Sequence, residues 1–141
     1  GFIYTNDLAT WDKNQFVTII GRKDDMIISS GENIYPTEVE AVLNTHAKVK
    51  DCIVTSVPDK IRGQIVTAYI VPVASIEEAE HGLAEELDEF CKESNEIANF
   101  KRPRYYRFVS QIPFNATGKK LHVKIKEIAS RDQKNGLLYR V

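Results

Sequence analysis

The sequence predicts an α+β domain: a small mixed β-sheet flanked by helices and preceded by a β-hairpin. Three observations lead there. Short β-branched runs recur along the chain, and segments with helical three- and four-residue spacing are set between them. The two kinds also follow one another without the strict alternation that a parallel α/β sheet requires. With 141 residues, 43% apolar and 28% charged, the chain can build one sizeable core plus a short piece of another domain.

Residues 3–8 and 16–20 are apolar and β-branched, and the polar stretch Asp12–Gln15 between them marks a hairpin. Met26–Ser29 is a further β run after the charged patch Arg22–Asp25, and Gly31 opens a loop that ends at Pro36. From there the period changes. Val39, Val42 and Leu43 share a face, with Pro36 early and Glu38 in the first turn, so 36–45 reads as a short helix. Val49–Val57 and Gln64–Val73 read as strands joined by a turn over Pro58–Gly63.

Residues 76–98 are rich in Glu, Ala and Leu. Leu83, Leu87, Phe90 and Ile97 mark one face of a long helix, whose weakly apolar first part, Glu77–His81, is open to fraying or looping. Pro103 stops it. Tyr105–Val109 is a strand, Pro113–Lys119 a polar loop, and Leu121–Ala129 a final helix; residues 130–141 are charged, with a turn at Asn135-Gly136 and no assigned role.

Composition narrows the function classes. A net charge of −1 gives no global field for nucleic acid or a membrane surface. The apolar runs fall far short of the roughly 20 residues that span a bilayer. With no charged-then-apolar leader, the expectation is a cytoplasmic protein without a transmembrane segment. The chain starts at Gly1 and its only methionine is Met26, which points to a fragment of a larger protein. Cys52 and Cys91 lack CxxC spacing and read as reduced, buried thiols. His46, His81 and His122 are scattered and read as surface or helix-end residues, so no metal site is expected.

Three loops carry more chemistry than a turn needs. In Tyr4-Thr-Asn-Asp-Leu8, the Asp7 carboxylate at a strand end suits two ribose hydroxyls, although an Asx-turn would use the same residues. In Gly21-Arg-Lys-Asp-Asp-Met-Ile-Ile-Ser-Ser-Gly-Glu-Asn-Ile-Tyr-Pro36, Arg22 offers a planar fork for phosphate. Gly31 in the same stretch permits positive φ or the close approach of another molecule. A charged turn followed by a glycine loop is the plainer alternative. In Pro113-Phe-Asn-Ala-Thr-Gly-Lys-Lys-Leu121, a lysine after Thr-Gly can reach an anion held elsewhere and offset charge at a phosphoryl centre. The spacing is not that of a P-loop, and a solvated basic turn also fits.

Taken together and in this order, the three loops resemble the adenylate-forming superfamily of acyl-CoA synthetases, peptide-synthetase adenylation domains and luciferases. TND-L looks like the family's TGDL, GRKDDMIISSGENIYPTEVE is close to its long central signature, and PFNATGKKL looks like its terminal P-x4-G-K motif. The resemblance runs from about Tyr4 to Lys126. It implies that residues 1–23 are the end of a large amino-terminal adenylation domain, that 24–129 are the carboxy-terminal lid, and that Asp24 is the hinge.

The implied chemistry has two halves. ATP and a small carboxylic acid give acyl-AMP, with Mg²⁺ held mainly by the amino-terminal domain. Lys119 would bridge the carboxylate and the α-phosphate, Asp7 would bind the ribose, and Arg22 the phosphate or ribose. The lid then rotates and presents Ser30, Gly31 and Glu32 to the thiol of coenzyme A. Phe100 and Arg102 match a Phe-Lys-Arg-Pro segment that contacts the CoA nucleotide in aryl-CoA ligases. Asn6 departs from a usual Gly, Phe114 and Asn115 from commoner Lys or Arg then Thr, Lys120 from an aliphatic residue and His122 from a frequent Arg. The alternatives are an adenylation module that loads a carrier protein and a non-catalytic domain that binds nucleotide or a partner. The central signature ISSGENIYPTEVE, unlike the K-x-RG-x-R-I-E of peptide synthetases, favours an AMP-forming acyl- or aryl-CoA ligase.

Overall fold

The computed structural model describes residues 26–114 and 121–141. The hairpin expected within residues 3–20, together with Asp7, Arg22, Asp24 and Lys119, lies outside the described residues.

The sheet is built on the longest β-branched runs. Strand β3 (Val49–Asp59) pairs antiparallel with β4 (Gly63–Pro72) through a tight turn. The Asp59 carboxylate accepts the N–H groups of Ile61 (3.1 Å) and Arg62 (2.8 Å) in that turn. Gly63 takes φ +86° there, a conformation that glycine adopts without a Cβ penalty. Strand β5 (Tyr105–Phe108) joins β4 in parallel, and β6 (Tyr139–Arg140) closes antiparallel on β5. The order β3-β4-β5-β6 makes the sheet mixed, as the sequence predicts.

Period two sorts the side chains to two sides. Cys52, Val54, Val66, Ala68, Ile70, Tyr106 and Phe108 face one core. Ile53, Val57, Ile65, Tyr69 and Val71 face a second. Helix α1 (Pro36–Leu43) covers the first side with Val39, Val42 and Leu43. Proline in its first turn and Glu38, whose carboxylate accepts the Tyr35 N–H at 3.0 Å, fix where it starts.

The single long helix expected over 76–98 is instead two helices, α2 (Ile76–Ala79) and α3 (Leu83–Glu93). Gly82 sits between them at φ +117°, which no helix accommodates, and Ser75 caps α2 by accepting the Glu78 N–H at 3.2 Å. Helix α3 buries Leu83, Ala84, Leu87 and Cys91 on the first side of the sheet. A 3₁₀ turn (Asn99–Lys101) leads into β5. Helix α4 (His122–Lys134) covers the second side with Ile125 and Ala129 and runs past the expected end at Ala129. Residues 130–141, unassigned from sequence, thus complete α4, turn at Asn135-Gly136 and supply β6.

Strands β1 (Ile27–Ser29) and β2 (Glu32–Ile34) form a separate antiparallel hairpin. The sequence alone predicts a loop over β2. Ile27 and Ile34 anchor the hairpin in the first core, and Ile28 donates its N–H to Gln64 Oε1 at 2.7 Å.

Candidate functional site: a glycine turn beside an arginine group

Ser30 and Gly31 are the two central residues between the paired Ser29 and Glu32. Their φ angles are +53° and +81°, the signature of a type I′ turn that follows the twist of a tight hairpin. Serine in this region costs roughly 1–2 kcal/mol. The β1–β2 pairing and a hydrogen bond from Ser30 N–H to the Arg62 carbonyl (2.9 Å) hold it there. The run Ser30–Asn33 is exposed, and a Cβ added at Gly31 would meet nothing within 4 Å. The turn therefore offers an unobstructed edge of backbone to an approaching molecule.

The bond to Arg62 places the turn against the β3–β4 connection, and that connection is electrostatically linked to the start of β5. Burial, then the neighbouring Arg102 and Arg62, lowers the Arg104 guanidinium below its ordinary value, with Arg140 of β6 adding to the effect. Arg104 Nε is buried without a hydrogen-bond partner. Arg104 thus sits in the field of three like charges, which Asp88 partly offsets.

Phe100, two residues before Arg102 in the 3₁₀ turn, is 46% exposed, with the Lys101 ammonium 5.8 Å from its ring centroid. Arg102 is less open. Its Nε donates to Asp88 at 2.8 Å and one terminal nitrogen to Asn99 at 3.1 Å, and its side chain is 11% exposed. Its charge is thus partly committed to bracing the turn that displays Phe100. Lys101 reaches Glu38 at 2.9 Å, and Glu38 also accepts the Tyr35 N–H, so one carboxylate couples the Phe100 turn to the residue just after β2.

Of the residues predicted from sequence, the structure brings Ser30, Gly31 and Glu32 onto one hairpin tip, and Glu38 ties the Phe100–Arg102 segment to Tyr35 at the far end of that hairpin. Asp7, Arg22, Asp24 and Lys119 lie outside the described residues. Sequence reasoning missed Arg62, Arg104 and Arg140. The Arg-Pro-Arg run at 102–104 is the one signal it had for Arg104, whereas Arg62 and Arg140 enter through the fold. Among the described residues no three His, Cys, Asp or Glu side chains come together to hold a metal. No helix among them is long and apolar enough to cross a membrane. Cys52 and Cys91 are buried thiols outside any disulfide, as expected, and burial pushes Cys91 up to about 11.

The domain is thus a small mixed sheet with helices on both sides, with a separate hairpin that carries an exposed glycine turn. Residues 38–119 match the AMP-binding enzyme C-terminal domain, and the chain belongs to that family, part of the adenylate-forming superfamily. It is 41% identical over 125 residues to a 2-succinylbenzoate–CoA ligase of Bacillus licheniformis, covering 89% of this chain and 24% of that protein. A mitochondrial medium-chain acyl-CoA ligase of Macaca fascicularis is 40% identical over 127 residues, covering 90% and 20%. Among solved structures, o-succinylbenzoate CoA synthetase of Bacillus subtilis, in complex with its acyl-adenylate intermediate, superposes with a TM-score of 0.66 at 37% identity, over 76% of this chain and 20% of that one. The chain thus spans about a quarter or less of the length of the relatives it matches. The relatives named here are CoA ligases, and a carrier-protein-loading module is not favoured.

Proposed function

We propose that this chain is the mobile carboxy-terminal lid of an AMP-forming acyl- or aryl-CoA ligase, serving two half-reactions on an amino-terminal domain that residues 1–23 complete. In the first, Lys119 bridges the carboxylate of the acid and the α-phosphate of ATP, offsetting charge as pyrophosphate leaves and acyl-AMP forms. Asp7 accepts the ribose hydroxyls and Arg22 meets phosphate or ribose. Mg²⁺ is assigned to the amino-terminal domain on the family resemblance. In the second, the lid turns about Asp24, withdraws Lys119 and offers Ser30, Gly31 and Glu32 to the incoming thiol, which displaces AMP to give the thioester. The exposed Ser30-Gly31 turn beside the arginines carries this reading. A pantetheine arm can lie along bare backbone while nucleotide phosphates meet Arg104 and its neighbours and the adenine stacks on Phe100. The setting is the cytoplasm, and the acid is a small organic carboxylate.

The test is made on the full-length enzyme, by following ATP–pyrophosphate exchange and thioester formation from supplied acyl-AMP separately. Lys119→Ala slows the first by about 10²- to 10³-fold and largely spares the second. Equal losses in both half-reactions exclude the assignment.

A further inference from the structure

We propose that Glu40 and His122 form a positioning pair for the lysine loop, an inference that rests on the reading of Lys119 as the catalytic residue. The observation is a single oxygen with two donors. Glu40 Oε2 accepts the Val54 N–H at 2.9 Å and lies 2.7 Å from His122 Nε2. Glu40 belongs to α1 on one side of the sheet, Val54 to β3, and His122 opens α4 on the other side. Among the described strands β3 is an edge, paired only with β4, so this carboxylate passes around the edge and pins both helical layers at one point.

The junction lies close to the lysine along the chain. Only Lys120 and Leu121 separate His122 from Lys119. At no more than about 3.6 Å per residue, chain length alone keeps the Lys119 Cα within roughly 11 Å of the His122 Cα. Just before α4, Leu121 N–H donates to the Pro113 carbonyl at 3.0 Å. Apolar packing does little for the first turn of α4. Val123 is exposed, Leu121 makes no side-chain cap, and the first buried apolar residue of the helix is Ile125. Orientation there is therefore set by a directional polar bond.

Glu40 is 6% exposed, and a carboxylate so buried is costly unless it is paired and hydrogen-bonded. The contact with His122 is one of those that satisfy it. Lys126, one turn along α4, lines the same cavity of about 60 Å³ as His122, while β3 and β1 present uncharged Val54, Thr55, Ser56 and Ile27 to it. The pair thus makes acyl-AMP formation depend on a histidine that does not touch the substrate.

The experiment uses the full-length enzyme with 2-succinylbenzoate or octanoate, whichever supports ATP–pyrophosphate exchange. His122→Ala slows exchange about tenfold with the KM for ATP unchanged, and leaves thioester formation from supplied acyl-AMP within about twofold. His122→Arg, which can still donate to Glu40, restores the exchange rate. Equal slowing of both half-reactions by His122→Ala, or a His122→Arg variant as slow as His122→Ala, overturns the proposal. A Lys119→Ala variant that exchanges normally sinks the lysine assignment instead, a failure visible without any His122 variant.

Discussion

The two sides of the sheet are held by different forces. On the α1–α3 side, Val39, Leu43, Leu87, Cys91 and the hairpin residues Ile27 and Ile34 merge with the strand side chains into one apolar core. On the α4 side the helix contributes only Ile125 and Ala129 as buried residues. Polar bonds do the remainder: Tyr69 hydroxyl to Asp132, Gln133 to the Pro58 carbonyl, and His122 to Glu40. Apolar burial is non-directional and supplies stability, whereas hydrogen bonds fix orientation at small net gain. Helix α4 therefore depends more on the second kind of force than α1 and α3 do.

The difference is open to measurement. Leu87→Ala, on the apolar side, should lower unfolding free energy by about 3 kcal/mol in urea melts, since Leu87 is fully buried between α3 and the sheet. A loss below about 1 kcal/mol would break the contrast. Tyr69→Phe, on the polar side, should cost about 1–2 kcal/mol at pH 7 by orphaning the Asp132 carboxylate, which keeps only Arg107 at 3.7 Å. Burial, then the Asp132 carboxylate, raises the Tyr69 phenol above its usual value. Its contribution is therefore complete below about pH 10 and lost as pH rises beyond it. Melts from pH 7 to 10.5 should show an alkaline decline that Tyr69→Phe makes shallower. The smallest structural effect belongs to Phe100→Ala, within about 0.5 kcal/mol because the ring is half exposed, yet it should raise the KM for CoA in the full-length enzyme. An unchanged KM would remove Phe100 from the proposed nucleotide surface.

Much of the sheet was legible because its signal is local. β3 and β4 are long β-branched runs around a turn whose Asp59 and Gly63 have fixed conformational roles. What the sequence hid depends on contacts made at a distance. Strand β2 is Glu-Asn-Ile, with little β propensity of its own, and exists because the Ser30-Gly31 turn brings it onto β1. Gly82 was a visible break inside the 76–98 segment, but the apolar face of Leu83, Leu87, Phe90 and Ile97 masked it. Strand β6 is two exposed residues, recognisable only by their pairing with Tyr105 and Tyr106. At the site, glycine and aromatic residues announced themselves by type. Glu40 did not, because a glutamate in a helical signature looks like any solvated residue until the fold buries it against Val54 and His122.

The outer rim of β3 has one more consequence. Strands at a sheet border ordinarily present unpaired amides that can recruit a strand from another molecule. Here the Cys52 amide is taken by its neighbour Asp51 at 2.8 Å and the Val54 amide by Glu40. Two negative side chains thus stand where a foreign strand would have to dock, which guards this border of the described sheet against edge-to-edge pairing.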